Sequence, residues 1–248
     1  MRIPFIAGNW KMYKTIAEAK AFAKEFKALY HDTDVKTAIF APFTQLQSLV
    51  SEFDGSGIAV GAQNVHFEKE GAFTGELSVQ MLEEIKVDYC LVGHSERRQY
   101  FGETDETVNL KLKALLCSKI LPVLCVGENL EEREEGEAKL LVGAQVKAAF
   151  DGIDSKDAEK VIVAYEPVWA IGTGKTATPE QANDMCACIR ETLTELYDEE
   201  TADRIVIQYG GSVKPENATE IMNMEEIDGA LVGGASLEPL KFIEIVNF

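Results

Sequence analysis

Eight short apolar runs, each followed by a helix-like stretch, limit what this chain can fold into. They are Phe5–Asn9, Thr37–Ala41, Ile58–Gln63, Tyr89–Val92, Leu121–Val126, Val161–Tyr165, Ile205–Tyr209 and Gly229–Val232. Most are continuously apolar rather than alternating, the pattern of parallel strands covered on both faces. Between them, Thr15 to Tyr30 places Ile16, Ala19, Ala23, Phe26 and Tyr30 on one helical face, with Glu18, Lys20, Lys24 and Lys27 elsewhere. Thr178-Pro179-Glu180-Gln181 reads as a capping box with proline at the first helical position, opening a helix to about Tyr197. Strand then helix, eight times over, with no Pro/Gly/Ser-rich linker, predicts one closed (β/α)8 barrel with parallel strands, a single domain over residues 1–248.

That architecture makes a statement about position. Active sites of such barrels lie at the C-terminal ends of the strands. Asn9 and Lys11 follow the first run, His94 the fourth, Glu166 the sixth, Ser212 the seventh, and Gly233-Gly234 the eighth. Topology alone therefore predicts that they converge on one rim.

Charge narrows the partners. A formal net charge of -18 argues against nucleic acid and against anionic membrane surfaces. Any anionic ligand must be held locally, by backbone N–H groups, helix N-termini and a well-placed lysine. No run of 18 or more apolar residues is present, so no membrane-spanning helix is expected. The start, Met1-Arg2-Ile3-Pro4-Phe5, lacks a signal-peptide apolar region, and the five cysteines (90, 117, 125, 186 and 188) show no framework spacing. A cytoplasmic protein with reduced thiols is expected. Cys186-Ala187-Cys188 falls within a helical pattern without a partner pair, so no metal site is expected there. The acidic stretch from Glu131 to Gly136 reads as a solvated, charge-laced helix start.

The rim residues differ in chemistry. Glu166 ends a buried-looking strand, with a stiff Pro167-Val168-Trp169 step, an apolar pair and a Gly172-Thr173-Gly174 hinge behind it. A lone carboxylate beneath a segment that can swing over it suits chemistry kept from water. His94 precedes Ser95-Glu96-Arg97-Arg98, which reads as a first helical turn capped by Ser95. A helix N-terminus disfavours imidazolium, so a neutral ring could donate a hydrogen bond to a carbonyl oxygen. If the extended backbone continues past Asn9, then Asn9 and Lys11 share a face while Trp10 turns into the packing. Gly210-Gly211-Ser212 and Gly233-Gly234 after the last two strands form the combination that barrel phosphate sites use.

The fourteen residues Ala164–Ala177 resemble the active-site signature of the triosephosphate isomerase family. Asn9-Trp10-Lys11, Gly93-His94-Ser95-Glu96-Arg97-Arg98, Cys125-Val126-Gly127-Glu128, Tyr209-Gly210-Gly211-Ser212-Val213 and Leu231-Val232-Gly233-Gly234-Ala235-Ser236 resemble its other motifs, in its order, over the chain from Ile3 to Phe248. The resemblance implies a cofactor-free isomerase acting on a small phosphorylated triose. It casts Glu166 as general base, His94 as donor to the substrate oxygens, and Lys11 with Asn9 as the stabilisers of negative charge. Glu96 becomes the carboxylate partner of Lys11, and Ser95 supports the histidine. Gly172, Ser212, Gly233 and Gly234 become the phosphate ligands. Val168, Trp169, Ala170, Ile171, Gly172, Thr173, Gly174, Lys175, Thr176 and Ala177 become a lid. The loop Gly71-Ala72-Phe73-Thr74-Gly75-Glu76 resembles the one that plugs a neighbouring subunit, implying a homodimer with Thr74 at its interface. Phe73 stands where that family often has tyrosine, a mild departure that keeps the ring.

Three rival readings fit the residues less well. Gly172-Thr-Gly174-Lys-Thr-Ala177 fits a dinucleotide fingerprint, but five residues separate its first glycine from Glu166 and no helix opens on it. A nucleotide-hydrolase loop ending in Gly174-Lys175-Thr176 would need its first glycine at Trp169. A barrel that binds sugar phosphates without turning them over would be favoured by loss of Glu166, His94 or Lys11, and none is lost.

Overall fold

The computed structural model describes residues 2–31, 33–170 and 176–248. Among them, eight parallel strands close into a barrel in chain order: β1 (Phe5–Asn9), β2 (Lys36–Ala41), β3 (Ile58–Ala62), β4 (Tyr89–Val92), β5 (Leu121–Val126), β6 (Ile162–Tyr165), β7 (Ile207–Tyr209) and β8 (Gly229–Val232). Closure is made by β8 against β1, with Phe5 opposite Gly229 and Gly8 opposite Val232. The expected strands are all present, with ends displaced by one or two residues. Gln63, Val161, Ile205 and Val206 fall outside the ladders, and Lys36 is added to β2.

Strict alternation explains why the strands read as unbroken apolar runs. Phe5 and Ala7, Ala38 and Phe40, Tyr89 and Leu91, and Val123 and Cys125 point into the barrel. Their neighbours, among them Ile6, Ile39, Cys90 and Leu124, point outward against the helices. Each face of each strand is therefore a core face, and each buried Leu, Ile, Val or Phe contributes roughly 1.5–3 kcal/mol of transfer free energy.

The helices form where the pattern places them. Ile16–Leu29 starts on a complete Thr15–Glu18 capping box and buries Ala19, Phe22, Ala23 and Phe26. Ile16 shares that face by period but is 45% exposed, since nothing among the described residues packs over it in the first turn. Pro179–Leu196 starts on the Thr178–Gln181 capping box, with Tyr197 as its C-cap, and carries Cys186 and Cys188 within it. Leu130–Glu134 is capped by Asn129 with Glu132 returning the bond, so the acidic stretch does open a helix.

At the N-terminal end of the barrel the sheet is pinned by a buried charge network. Arg190 donates from Nε to Glu226 at 2.6 Å, from Nη2 to Asp228 at 2.8 Å, and from Nη1 to the carbonyls of Ala202 and Ile205. Asp228 in turn accepts from the backbone N–H of Ile207 at 2.9 Å, tying the start of β7 to the residue before β8. Arg2 Nε also donates to Asp228 Oδ1, so removing Arg190 takes one of the two cations from the buried Asp228 and leaves the Ala202 and Ile205 carbonyls without their donor. Arg190→Met is expected to lower unfolding stability by about 3–5 kcal/mol, measured by urea denaturation. A change below about 1 kcal/mol would show that the network does not carry the seam.

Candidate active site

The rim residues come together as topology requires. Asn9 is the last residue of β1 and nearly buried; Lys11 follows two residues later with φ 51°, in the left-handed region. The backbone is therefore not extended past Asn9, so the condition under which Asn9 and Lys11 would share a face is not met. The turn lets the Lys11 N–H donate to Asn9 Oδ1 at 3.0 Å. Gln63, just beyond β3, donates from Nε2 to Asn9 Oδ1 at 3.1 Å and to the Lys11 carbonyl at 2.9 Å. Such a conformation costs on the order of 1 kcal/mol for a residue with a side chain, and this local cage holds it. Trp10 is turned into the core as expected, edge-on to Phe22 with ring centroids 4.9 Å apart. Gln63 carried no signal in the sequence beyond its place at the end of a strand-like run.

After β4, Gly93 at φ 76° turns the chain, and His94 rather than Ser95 caps the helix Ser95–Phe101. His94 Nδ1 accepts the backbone N–H of Glu96 at 3.3 Å. Ser95 becomes the first helical residue, and its free N–H donates to Glu166 Oε2 at 2.9 Å. The other carboxylate oxygen, Oε1, lies 2.9 Å from His94 Nε2. Glu96, from the first turn, meets Lys11: its Oε1 accepts from Nζ at 2.6 Å.

Burial would raise the Glu166 carboxyl pKa, but the hydrogen bond from His94, the Ser95 N–H and the charge of Lys11 together hold it below the usual glutamate value. For His94, burial lowers the imidazole pKa while the Glu166 carboxylate raises it, and the net direction is upward. A second proton would have to sit on Nδ1, where the lone pair already accepts from Glu96 N–H. The neutral tautomer with its proton on Nε2, donating to Glu166, is the form this geometry fits.

The segment after Glu166 is anchored by a residue that the sequence reading quoted in a motif and gave no role. Glu128, fully buried at the end of the β5 loop, takes Trp169 Nε1 at 2.8 Å, Tyr165 Oη at 3.0 Å and Arg133 Nη1 at 2.9 Å on one oxygen. Its carbonyl accepts the Val168 N–H at 3.0 Å. Arg133 also lies 4.6 Å from the Trp169 ring centroid, so it is not simply a solvated charge of the acidic stretch. Val168–Ala170 forms one turn of 3-10 helix, and Ala177 is buried just before the Thr178 cap. Ile171, Gly172, Thr173, Gly174 and Lys175 lie outside the described residues. Gly127 lets β5 and β6 touch: a Cβ there would meet the Glu166 carbonyl oxygen at 1.8 Å.

One cavity of about 690 Å³ gathers these groups. Asn9, Lys11, His94 and Glu166 line one part, and Ser212, Gly233 and Gly234 another. Lys214 and Lys241, which the sequence reading did not single out, line it as well; Lys241 is paired with Glu238 at 2.8 Å. Glu216 and Glu238 line the cavity too, so with Glu166 the lining sets three carboxylates against three lysines, a locally balanced surface in a strongly acidic molecule. The arrangement can hold a small anion beside a buried carboxylate and an imidazole N–H, a setting for proton transfer next to a carbonyl. Cys125, inside the barrel, has its thiol pKa pushed well up by burial and by the Glu166 charge, so it stays a packing thiol at neutral pH. Among the described residues, no group of three or more His, Cys, Asp or Glu could hold a metal ion.

The loop with Thr74 stands apart from this cavity. Residues 71–76 are all exposed, and Phe73, 43% exposed, lies against His66 with ring centroids 4.3 Å apart and the planes tilted by 32°.

Comparison with known proteins agrees with this geometry. A family model described as triosephosphate isomerase matches residues 4–248. A relative named triosephosphate isomerase from Alkaliphilus metalliredigens is 54% identical over 248 residues, with 100% of each chain covered. One of the same name from Carboxydothermus hydrogenoformans is 55% identical over 100% of this chain and 99% of its own. Another from Clostridium perfringens is 51% identical, with both chains covered in full. With its eight-stranded barrel and the family's motifs gathered at one rim, the chain belongs to the triosephosphate isomerase family.

Proposed function

We propose that this protein, as one catalytic domain over residues 1–248, interconverts dihydroxyacetone phosphate and D-glyceraldehyde 3-phosphate by proton transfer through an enediolate. The observation that carries the reading is the buried pair of Glu166 and His94, 2.9 Å apart and sharing one cavity with Lys11 and the glycines after β8. A binder that does not turn over its ligand has no need to bury a carboxylate at 2% exposure against an imidazole.

The chemistry follows from what the pair must give up. Without ligand, Glu166 is satisfied by His94 Nε2 and the Ser95 N–H. A substrate carbonyl entering the cavity takes over the Nε2–H, and the carboxylate turns from its two donors toward the adjacent carbon. Losing those donors in a dry site raises its basicity where a proton must be removed. Negative charge then grows on the substrate oxygens, within reach of the His94 N–H, Lys11 Nζ and Asn9. A proton passes from the hydroxyl oxygen to the former carbonyl oxygen, with the His94 Nε2–H placed between them to relay it; Glu166 then delivers its own proton to the neighbouring carbon, and the charge collapses into the new carbonyl. Lys11 and its strained turn place the ammonium at the cavity while Glu96 holds it there. Ser212, Gly233, Gly234 and Gly172 bind the phosphate, the first three lining the same cavity. No cofactor enters this scheme.

The lid is the segment from Val168 to Ala177, whose first turn Glu128 fixes through Trp169 and the Val168 N–H. A rigid base at that end lets the segment cover the enediolate and keep its phosphate from being lost to solvent. The protein acts as a homodimer in the cytoplasm, with Thr74 in the interface loop. In support of the dimer, Met12, Tyr13, Tyr100 and Phe101 are large apolar residues left exposed in the segments that follow Lys11 and Glu96. No helix among the described residues is long and apolar enough to cross a membrane.

In a coupled assay with glyceraldehyde 3-phosphate, Glu166→Gln is expected to lower kcat by about 10²–10⁴-fold. Inhibition by inorganic phosphate should stay within about twofold, because the anion contacts come from other residues; an equal loss of phosphate affinity would show the roles misassigned. Deleting the lid tip should raise methylglyoxal formed per turnover, and unchanged partitioning would remove the protective role. Sedimentation at micromolar concentration should give twice the chain mass, and Thr74→Glu should shift that population toward single chains; a monomeric parent with full activity would refute the dimer.

A further inference from the structure

The loop after β1 carries a second lysine that the proton-transfer chemistry leaves without a task. Lys14 lies three residues beyond Lys11 and, like it, holds left-handed backbone, with φ 70°. Its surroundings grip it from several sides. The carbonyl accepts from Gln45 Nε2, and the ammonium sits 5.2 Å from the Trp10 ring centroid and 5.1 Å from that of Phe22. The carboxylates of Glu18 and Glu238 lie near enough to act on it electrostatically.

The ammonium makes one long-range hydrogen bond, and its target is specific. Nζ donates at 2.9 Å to the carbonyl of Leu237, the last residue of the turn of 3-10 helix Gly234–Leu237. The preceding carbonyl, that of Ser236, accepts from Trp10 Nε1 at 3.0 Å. Ser236 itself is buried and donates from Oγ to the Gly233 carbonyl at 2.7 Å. Two donors of the β1 loop thus hold consecutive carbonyls at the far end of the segment that Gly233 and Gly234 begin. The same loop carries Lys11, whose Cε would lie 3.7 Å from a Cβ built on Gly233.

We propose that Lys14 is a positioning residue for phosphate binding: by tying the Leu237 carbonyl to the β1 loop, it sets where Gly233 and Gly234 stand relative to the Lys11 ammonium. This rests on the reading of Gly233, Gly234 and Lys11 as ligands of the substrate phosphate. A left-handed lysine is then retained because glycine, which would relieve the backbone, could not make the tie. The ammonium is a charge-assisted donor over two aromatic faces, a tie stronger than a neutral hydrogen bond would provide.

The test is Lys14→Met, which keeps the apolar stem and removes the donor. KM for glyceraldehyde 3-phosphate and the inhibition constant of inorganic phosphate should both rise about fivefold, while kcat stays within about twofold. Lys14→Arg, which restores a cationic donor, should recover most of the loss. Lys14→Gly removes the donor and the backbone strain together, and it should fold and show the same weakening if Lys14→Met proves unstable. If phosphate inhibits Lys14→Met and Lys14→Gly as strongly as the parent, or if kcat falls with KM unchanged, Lys14 does not position the cradle. If phosphate fails to compete with substrate in the parent itself, the phosphate reading of Gly233, Gly234 and Lys11 falls, and this proposal with it.

Discussion

The parallel pairing of β8 with β1 is the contact on which the site depends. It joins the two ends of the chain, with Phe5 beside Gly229 and Gly8 beside Val232. Lys11 at the start of the chain is thereby brought to Gly233 near its end, more than two hundred residues away in sequence. The loops then reinforce what the ladder begins, since Trp10 and Lys14 reach across the same seam to Ser236 and Leu237. An open sheet with the same strands would place these groups at opposite edges. Closure converts a list of separated residues into one cavity.

Inside that cavity, the governing balance is between burial and charge. Desolvation alone would neutralise Glu166, yet its carboxylate is held by His94 Nε2 and by the Ser95 N–H released at a helix start, while the Glu96 N–H holds the other ring nitrogen of His94 as an acceptor. The pair is satisfied at rest by contacts that a substrate can replace. Around it, Lys11, Lys214 and Lys241 offset the charges of Glu166, Glu216 and Glu238, so the cavity is locally balanced in a molecule of net charge -18. The pull of each such charge strengthens with exclusion of water, which is what a covering segment anchored on Glu128 would add.

Much of this was legible in the residues, and the failures have identifiable causes. The capping boxes at Thr15 and Thr178 were readable because their partners lie three residues apart and bond locally. The cap at His94 was not, since serine is the stronger cap by propensity. The left-handed Gly93 displaced the helix start by one residue and freed the Ser95 N–H for Glu166. Lys11 was expected to continue an extended strand, but the hydrogen bonds from Gln63 and to Asn9 favour a tight left-handed turn. Ile16 satisfied the helical period and still faces solvent, because periodicity says which face a residue shares and not whether anything covers it. Glu128 and Arg133 sat in or beside an acidic stretch that looked solvated; only the fold places Trp169 and Tyr165 against them.

Local chemistry, then, was enough to determine the number and order of strands, the helix starts, and the kinds of side chain delivered to each strand end. These depend on periodicity, on backbone hydrogen bonds spanning a few residues, and on alternation across a sheet. The tertiary structure alone decided which of those side chains touch: that Glu166 meets both His94 and the Ser95 N–H, that Glu128 supports the segment after Glu166, and that Lys14 ties β1 to β8. Such contacts are set by barrel closure and by turns of one or two residues, whose directions depend on packing from distant parts of the chain.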